Sequence, residues 1–151
     1  MNKCFILLFF ATFSIFAQTK SKKVEILSTS AGEYLNAHYL IEEGKQDILN
    51  IHFFGRDHQY QHIDEYLTFY SGSPKDFYIF INKLKEAFNS EIDITQNIDG
   101  CIVTTEKSMG KKIISVKEGK KSGYRLFNLK VIDKVISKFE IWCTENKVEY
   151  K

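Results

Sequence analysis

Two stretches of strict alternation flank one glycine-bearing loop, and they constrain the fold more than any other feature of the chain. Over residues 34–41 the odd positions are Leu35, Ala37, Tyr39 and Ile41, with Asn36 and His38 between them. Over residues 48–54, Leu49, Ile51 and Phe53 alternate with Asn50 and His52. Successive side chains of a strand point to opposite faces. Period two on both sides of Glu42-Glu43-Gly44 therefore predicts a β-hairpin with one apolar and one polar face. Parity then sets the register. A three-residue loop with Gly44 in the left-handed region pairs Ile41 with Lys45, and odd positions with odd. A two-residue Glu43-Gly44 loop would set odd against even and mix the faces. The pattern selects the longer loop, with Asn36 opposite Asn50 and Tyr34 opposite His52.

The remaining elements follow from the same kind of reading. Residues 18–23 read as a solvated leader and residues 24–28 as a first strand. Residues 55–59 form a polar connection, and residues 61–70 alternate again, with Ile63, Leu67 and Phe69 on one side. Ser73 caps a helix that opens on Pro74, with Asp76 three positions after the cap. Phe77, Phe80, Ile81, Leu84 and Phe88 give that helix one apolar stripe. Residues 89–100 read as an irregular connection. Residues 101–107 and 111–117 form a second hairpin across Ser108-Met109-Gly110, and residues 124–127 a short strand. Asn128 caps the last helix, whose stripe is Leu129, Ile132, Val135, Ile136, Phe139, Trp142 and Cys143. The expectation is an α+β fold in the order strands–helix–strands–helix: an antiparallel sheet built from β-hairpins, with two amphipathic helices packed on one face.

The start of the chain reads as an address. Met1-Asn2-Lys3 is a short basic opening, residues 4–16 are almost unbroken apolar side chains, and Ala17 precedes a polar run. That order is a secretory signal peptide, residues 1–17, cleaved after Ala17. A membrane-spanning helix needs roughly 20 apolar residues, more than this segment supplies, and no later stretch approaches that length. The reading is an exported protein, periplasmic or secreted, whose residues 18–151 form a single α+β domain that does not span a membrane. With 44% apolar and 26% charged residues and a single proline, the chain has globular rather than low-complexity composition.

Catalytic signals are sparse. His58 and His62 stand four apart, a spacing that on a helix would serve two zinc ligands. The segment reads HQYQH and lacks the glutamate of the zinc-protease motif, and on a strand side chains four apart are roughly 13 Å distant. No metal is expected, and His58 and His62 are only weak candidates for one. No nucleophile elbow, phosphate loop or dinucleotide fingerprint occurs, and no cofactor is implied. Removing residues 1–17 leaves Cys101 and Cys143. An even pair in an exported protein admits a disulfide, but two cysteines in a domain of this size are more often separate buried thiols behaving as small apolar side chains.

Two surfaces are candidates for binding. The polar face of the first hairpin gathers Tyr34, Asn36, His38, Asn50 and His52, a mixed aromatic and amide surface suited to a carbohydrate or peptide. The same pattern also describes the solvent side of an ordinary antiparallel sheet. The second surface comes from charge. The net of +2 averages an acidic front and a basic back: residues 18–100 carry 8 basic and 13 acidic side chains, residues 101–151 carry 12 and 6. Lys130, Lys134 and Lys138 form a stripe on the last helix, and Lys111, Lys112, Lys117, Lys120, Lys121 and Arg125 cluster around the second hairpin. These could receive an acidic partner, or serve as a solvated face and as guards against edge-strand aggregation. With 19 lysines to 2 arginines, forked recognition of phosphates or bases is disfavoured, and no nucleic acid is expected. The sequence thus points to a non-catalytic module that binds a protein or a glycan. A small hydrolase or metal-assisted enzyme using His58 and His62, and a structural envelope component, stand as alternatives.

Overall fold

The computed structural model describes residues 20–42, 45–59, 65–119 and 121–151. The expected signal peptide, His62 and Lys120 lie outside them. Ten elements run in the order strands–helix–strands–helix: β1 (Lys20–Ser28), β2 (Glu33–Glu42), β3 (Lys45–Arg56), β4 (Tyr66–Gly72), α1 (Pro74–Asn89), β5 (Thr95–Ile98), β6 (Cys101–Ser108), β7 (Lys111–Glu118), β8 (Arg125–Phe127) and α2 (Leu129–Asn146). The α+β class and the element order are those expected. The strands, however, divide into two antiparallel sheets of four, ordered β1-β2-β3-β4 and β5-β6-β7-β8, rather than joining in one. Each half of the chain is thus a four-stranded meander followed by a capped helix.

The helices begin where capping chemistry places them. Ser73 Oγ accepts the Asp76 backbone N–H at 3.1 Å, and Pro74 occupies the first turn, where no intrahelical donor is missed. Asn128 Oδ1 accepts the Val131 N–H at 3.0 Å. Phe77, Phe80, Ile81, Leu84 and Ala87 of α1 are buried, as are Ile132, Val135, Phe139, Trp142 and Cys143 of α2. α1 lies against strands of both sheets, and α2 packs on α1 and β1. One aromatic core joins them all. Phe53 and Phe69 of the first sheet meet Phe127 of the second at 5.8 and 5.4 Å between centroids, while Phe77 meets Phe139 at 4.8 Å.

Several boundaries differ from the expectation for identifiable reasons. β1 starts at Lys20, so the lysines read as a solvated leader belong to an edge strand, where their charge discourages further pairing. The stretch read as an irregular connection contains β5, a four-residue polar edge strand joined to β6 by Asp99-Gly100. Both turn residues there have positive φ, 49° and 89°, as do Met109 and Gly110 in the next turn, 48° and 77°. These are mirror-image two-residue hairpin turns, so Ser108 pairs with Lys111 and the second hairpin lacks the three-residue loop expected of it.

Candidate functional site

The odd positions of β2 enter the core, with Leu35 and Ala37 fully buried, so its even positions form the outer face of the first sheet. The register of that face corrects the expected one. Glu42 pairs with Lys45, which is the two-residue loop that simple parity disfavours. The conflict is resolved by a β-bulge: Tyr39 pairs with Ile48 but His38 with Asn50, leaving Leu49 as the extra residue. One additional residue rephases the strand, so beyond it odd pairs with odd after all. Asn36 stands opposite His52 rather than Asn50, and Tyr34 opposite Phe54 rather than His52.

Bulges also interrupt β1 after Glu25 and β4 beside Phe69, and the resulting face draws on all four strands. Lys23 and Glu25 of β1 lie opposite His38 and Asn36. Ser71 of β4 lies opposite His52, with its Oγ 3.4 Å from His52 Nε2. The His38 and His52 rings are 4.3 Å apart. At the other end of the face Tyr34 stacks on Phe54 at 5.2 Å, Tyr66 meets both rings edge-on at 5.6 and 5.9 Å, and Lys23 Nζ lies 5.7 Å from the Phe54 centroid. A polar notch of about 150 Å³, lined by residues 30–32, Tyr34, Arg56 and Tyr66, opens beside this trio.

The structure brings together the expected Tyr34, Asn36, His38, Asn50 and His52, with one change of status. Asn36 is not a surface amide but only 1% exposed, and neither Nδ2 nor Oδ1 has a hydrogen-bond partner among the described residues. Phe54, Tyr66, Ser71 and Lys23 were not legible as members of the face. Phe54 carried a signal, being an aromatic residue in the polar phase of its strand. Tyr66 and Ser71 depended on the pairing of β4, which alternation alone does not fix.

The other candidates separate. Asp57 and His58 hold the connection after β3 onto β8. Asp57 Oδ1 accepts the Tyr124 N–H at 3.1 Å, His58 donates its backbone N–H to Tyr124 O, and His58 Nδ1 accepts the Leu126 N–H at 3.3 Å. Among the described residues no three His, Cys, Asp or Glu side chains converge as a metal site. Cys101 and Cys143 are both free and buried, so the bridge entertained between them is not formed. Burial pushes the Cys101 thiol up to about 11 and Cys143 to about 12, leaving both protonated and unreactive at neutral pH. Lys130, Lys134 and Lys138 are exposed along α2. The cluster around the second hairpin is dispersed: Lys112 bonds Ser90 O, Lys121 pairs with Glu118, and Arg125 is 4% exposed in an ion pair with Glu33. Arg125 therefore belongs to no surface patch. No helix among the described residues is long and apolar enough to cross a membrane. Comparison with protein-family models, curated proteins and solved structures gives no match.

The two described histidine contacts carry a pH dependence. Burial, then His38 and Lys23, hold His52 below the ordinary imidazole value of 6.5. Burial, then Arg125, does the same for His58 against the opposing pull of Glu33 and Asp57. Unfolded imidazoles take up protons first, so stability from these groups is full above about pH 6.5 and is lost as pH falls below it. The urea midpoint should drop between pH 7.5 and pH 5.5, and should drop less in a His52→Gln/His58→Gln variant. Equal drops would refute the assignment.

Proposed function

We propose that this protein is an exported, non-catalytic binding module that engages a protein or glycan through the outer face of its first sheet. The observation that carries the reading is the grouping of Tyr34, Phe54 and Tyr66 with the His38–His52 pair and a buried carboxamide, Asn36, that is unpaired among the described residues. Aromatic side chains beside polar groups are the usual anchors of recognition surfaces. The non-catalytic part is supported by the structural engagement of Asp57 Oδ1 and His58 Nδ1, which accept bonds from backbone N–H groups at β8. Export is supported by the basic, apolar and small-residue order of residues 1–17.

The test is capture from the envelope and medium of the source cell on the immobilised protein, with bound proteins and glycans identified. Tyr34→Ala, His38→Ala and His52→Ala should each lower capture about tenfold, a change of about 1.4 kcal/mol, while circular dichroism stays native. Lys134→Ala on the α2 stripe should leave capture unchanged. Capture indifferent to all three face substitutions would refute the reading, and loss confined to Lys134→Ala would move the partner to the lysine stripe.

A further inference from the structure

We propose that the ligand of this face is an acidic glycan, its sugar ring packed on the Tyr34–Phe54–Tyr66 cluster, its hydroxyls on Asn36 and its carboxylate beside Lys23, His38 and His52. The inference rests on the binding-module reading and names the chemistry that the face would recognise.

Asn36 is the first argument. A carboxamide has two N–H donors and an acceptor oxygen, and buried polar groups of this kind are almost always paired. Asn36 is 1% exposed and pairs with nothing described. Because Leu35 and Ala37 point into the core, Asn36 points to the outer face. Its neighbours there are Tyr34 and His38 along β2, Glu25 on β1 and His52 on β3. An adjacent donor and acceptor match the vicinal hydroxyls of a sugar. Both histidines are only half-buried, and a ligand reaches the amide by moving one of these neighbouring side chains aside.

The second argument is what surrounds it. Tyr66, 42% exposed, stands edge-on to the stacked Tyr34 and Phe54 rings, offering apolar ring surface to the C–H face of a pyranose. Around the histidine pair β2, and β3 from Ile51 to Arg56, are flanked by a paired strand on both sides. A peptide adding as a strand would need a free edge, so recognition here goes through side chains, as for a sugar. The charged and titratable groups facing the histidine pair are Lys23 and Glu25 from β1, with the Ser71 hydroxyl from β4. Lys23 offsets Glu25. His52, held below its ordinary value by burial, then His38 and Lys23, adds positive charge only in mildly acidic solution, where the face favours an anionic ligand. Bound beside His52, a carboxylate opposes the burial that disfavours the charged imidazole and favours its protonated form. Binding then takes up protons, and affinity rises as pH falls toward 5.5, where a uronate is still ionised.

Calorimetry of the purified protein with a galacturonate hexamer and with neutral maltohexaose decides it. The acidic hexamer should bind at least about tenfold tighter, with affinity rising from pH 7.5 to pH 5.5 in the native protein and flat in His38→Gln/His52→Gln. Tyr66→Ala should weaken binding about tenfold. Asn36→Leu is the sharpest variant, because removing an unpaired buried amide should keep or raise the unfolding midpoint while abolishing binding. Equal binding of the two sugars, no binding of the acidic one, or full binding by Asn36→Leu overturns the proposal. If the galacturonate hexamer fails but a captured protein is still lost with Tyr34→Ala and His52→Ala, the ligand class falls and the binding module stands. If those substitutions change nothing in either experiment, both fall.

Discussion

Replacing Arg125 by alanine should cost about 3–5 kcal/mol of folding stability, as breaking one side of a buried ion pair does, out of the roughly 5–15 kcal/mol that holds a domain together. Arg125 and Glu33 are 4% and 1% exposed and lie 92 positions apart in sequence, one opening β8 and the other opening β2. The guanidinium donates from Nε to Glu33 Oε1 at 3.1 Å and from Nη1 to Arg56 O at 3.1 Å, while Nη2 reaches both Glu33 and Ala31 O. Glu33 completes its own set by accepting the Thr29 hydroxyl. Truncating Arg125 leaves the Glu33 carboxylate buried without its cation, with the full desolvation penalty, while the part-buried carbonyls of Ala31 and Arg56 lose a donor. Glu33→Ala should cost about as much, since it strands the guanidinium instead.

Two comparisons separate this from generic damage. Arg125→Lys should still lose about 2 kcal/mol, because a point-like ammonium cannot serve three acceptors at the angles of a planar fork. Glu33→Leu/Arg125→Met should cost about as much as either single alanine substitution, not their sum, because the partners fail together. Guanidinium chloride midpoints at matched slopes provide the measurement. The wild-type midpoint in urea should also be nearly the same at low and moderate salt, since a buried pair is poorly screened. An Arg125→Ala midpoint equal to wild type would refute the interpretation.

The same residue shows where sequence reading stops. In one dimension Arg125 belongs to a basic cluster, and nothing local distinguishes it from Lys121. Two signs were available: it is one of only two arginines among 19 lysines, and Glu33 falls in the apolar phase of its strand with Leu35 and Ala37. A charge on a core-facing position requires a buried partner, but its identity is fixed only when distant segments meet. Elements whose signals are local were legible, such as the Ser73-Pro74 cap and the stripes of both helices. The first hairpin was legible in part. Its parity was correct, yet the register came from a two-residue loop and a bulge at Leu49 that together imitate the parity of a longer loop. The outer face was correspondingly half-visible: Tyr34, Asn36, His38, Asn50 and His52 share it, whereas burial of Asn36 and the approach of Tyr66 depend on neighbouring strands. β5 was missed because Thr95–Ile98 is short and polar, leaving its Asp99-Gly100 turn as its clearest mark.

Gly123→Ala should be nearly as damaging as loss of the ion pair, at about 2–5 kcal/mol, although it adds a single methyl group. A β-carbon at this position would stand 2.6 Å from Cγ of Asp57 and nearer still to Oδ2, far inside van der Waals contact. Asp57 is 3% exposed, and its Oδ1 accepts the N–H groups of Gln59 at 2.8 Å and Tyr124 at 3.1 Å. Through these bonds it fastens the connection after β3 to the strand edge of the second sheet. Displacing the carboxylate leaves two backbone donors unpaired, at about 1–3 kcal/mol each where water cannot replace the acceptor. The cause can be isolated by a double-mutant cycle. In an Asp57→Ala background, already destabilised, the obstructing atoms are gone, and Gly123→Ala should then cost less than about 1 kcal/mol. A chain strained by the loss of glycine's backbone freedom would instead show the same cost in both backgrounds. Gly123 has no positive φ, so the steric account predicts strong coupling, and additive costs in denaturant titrations would exclude it.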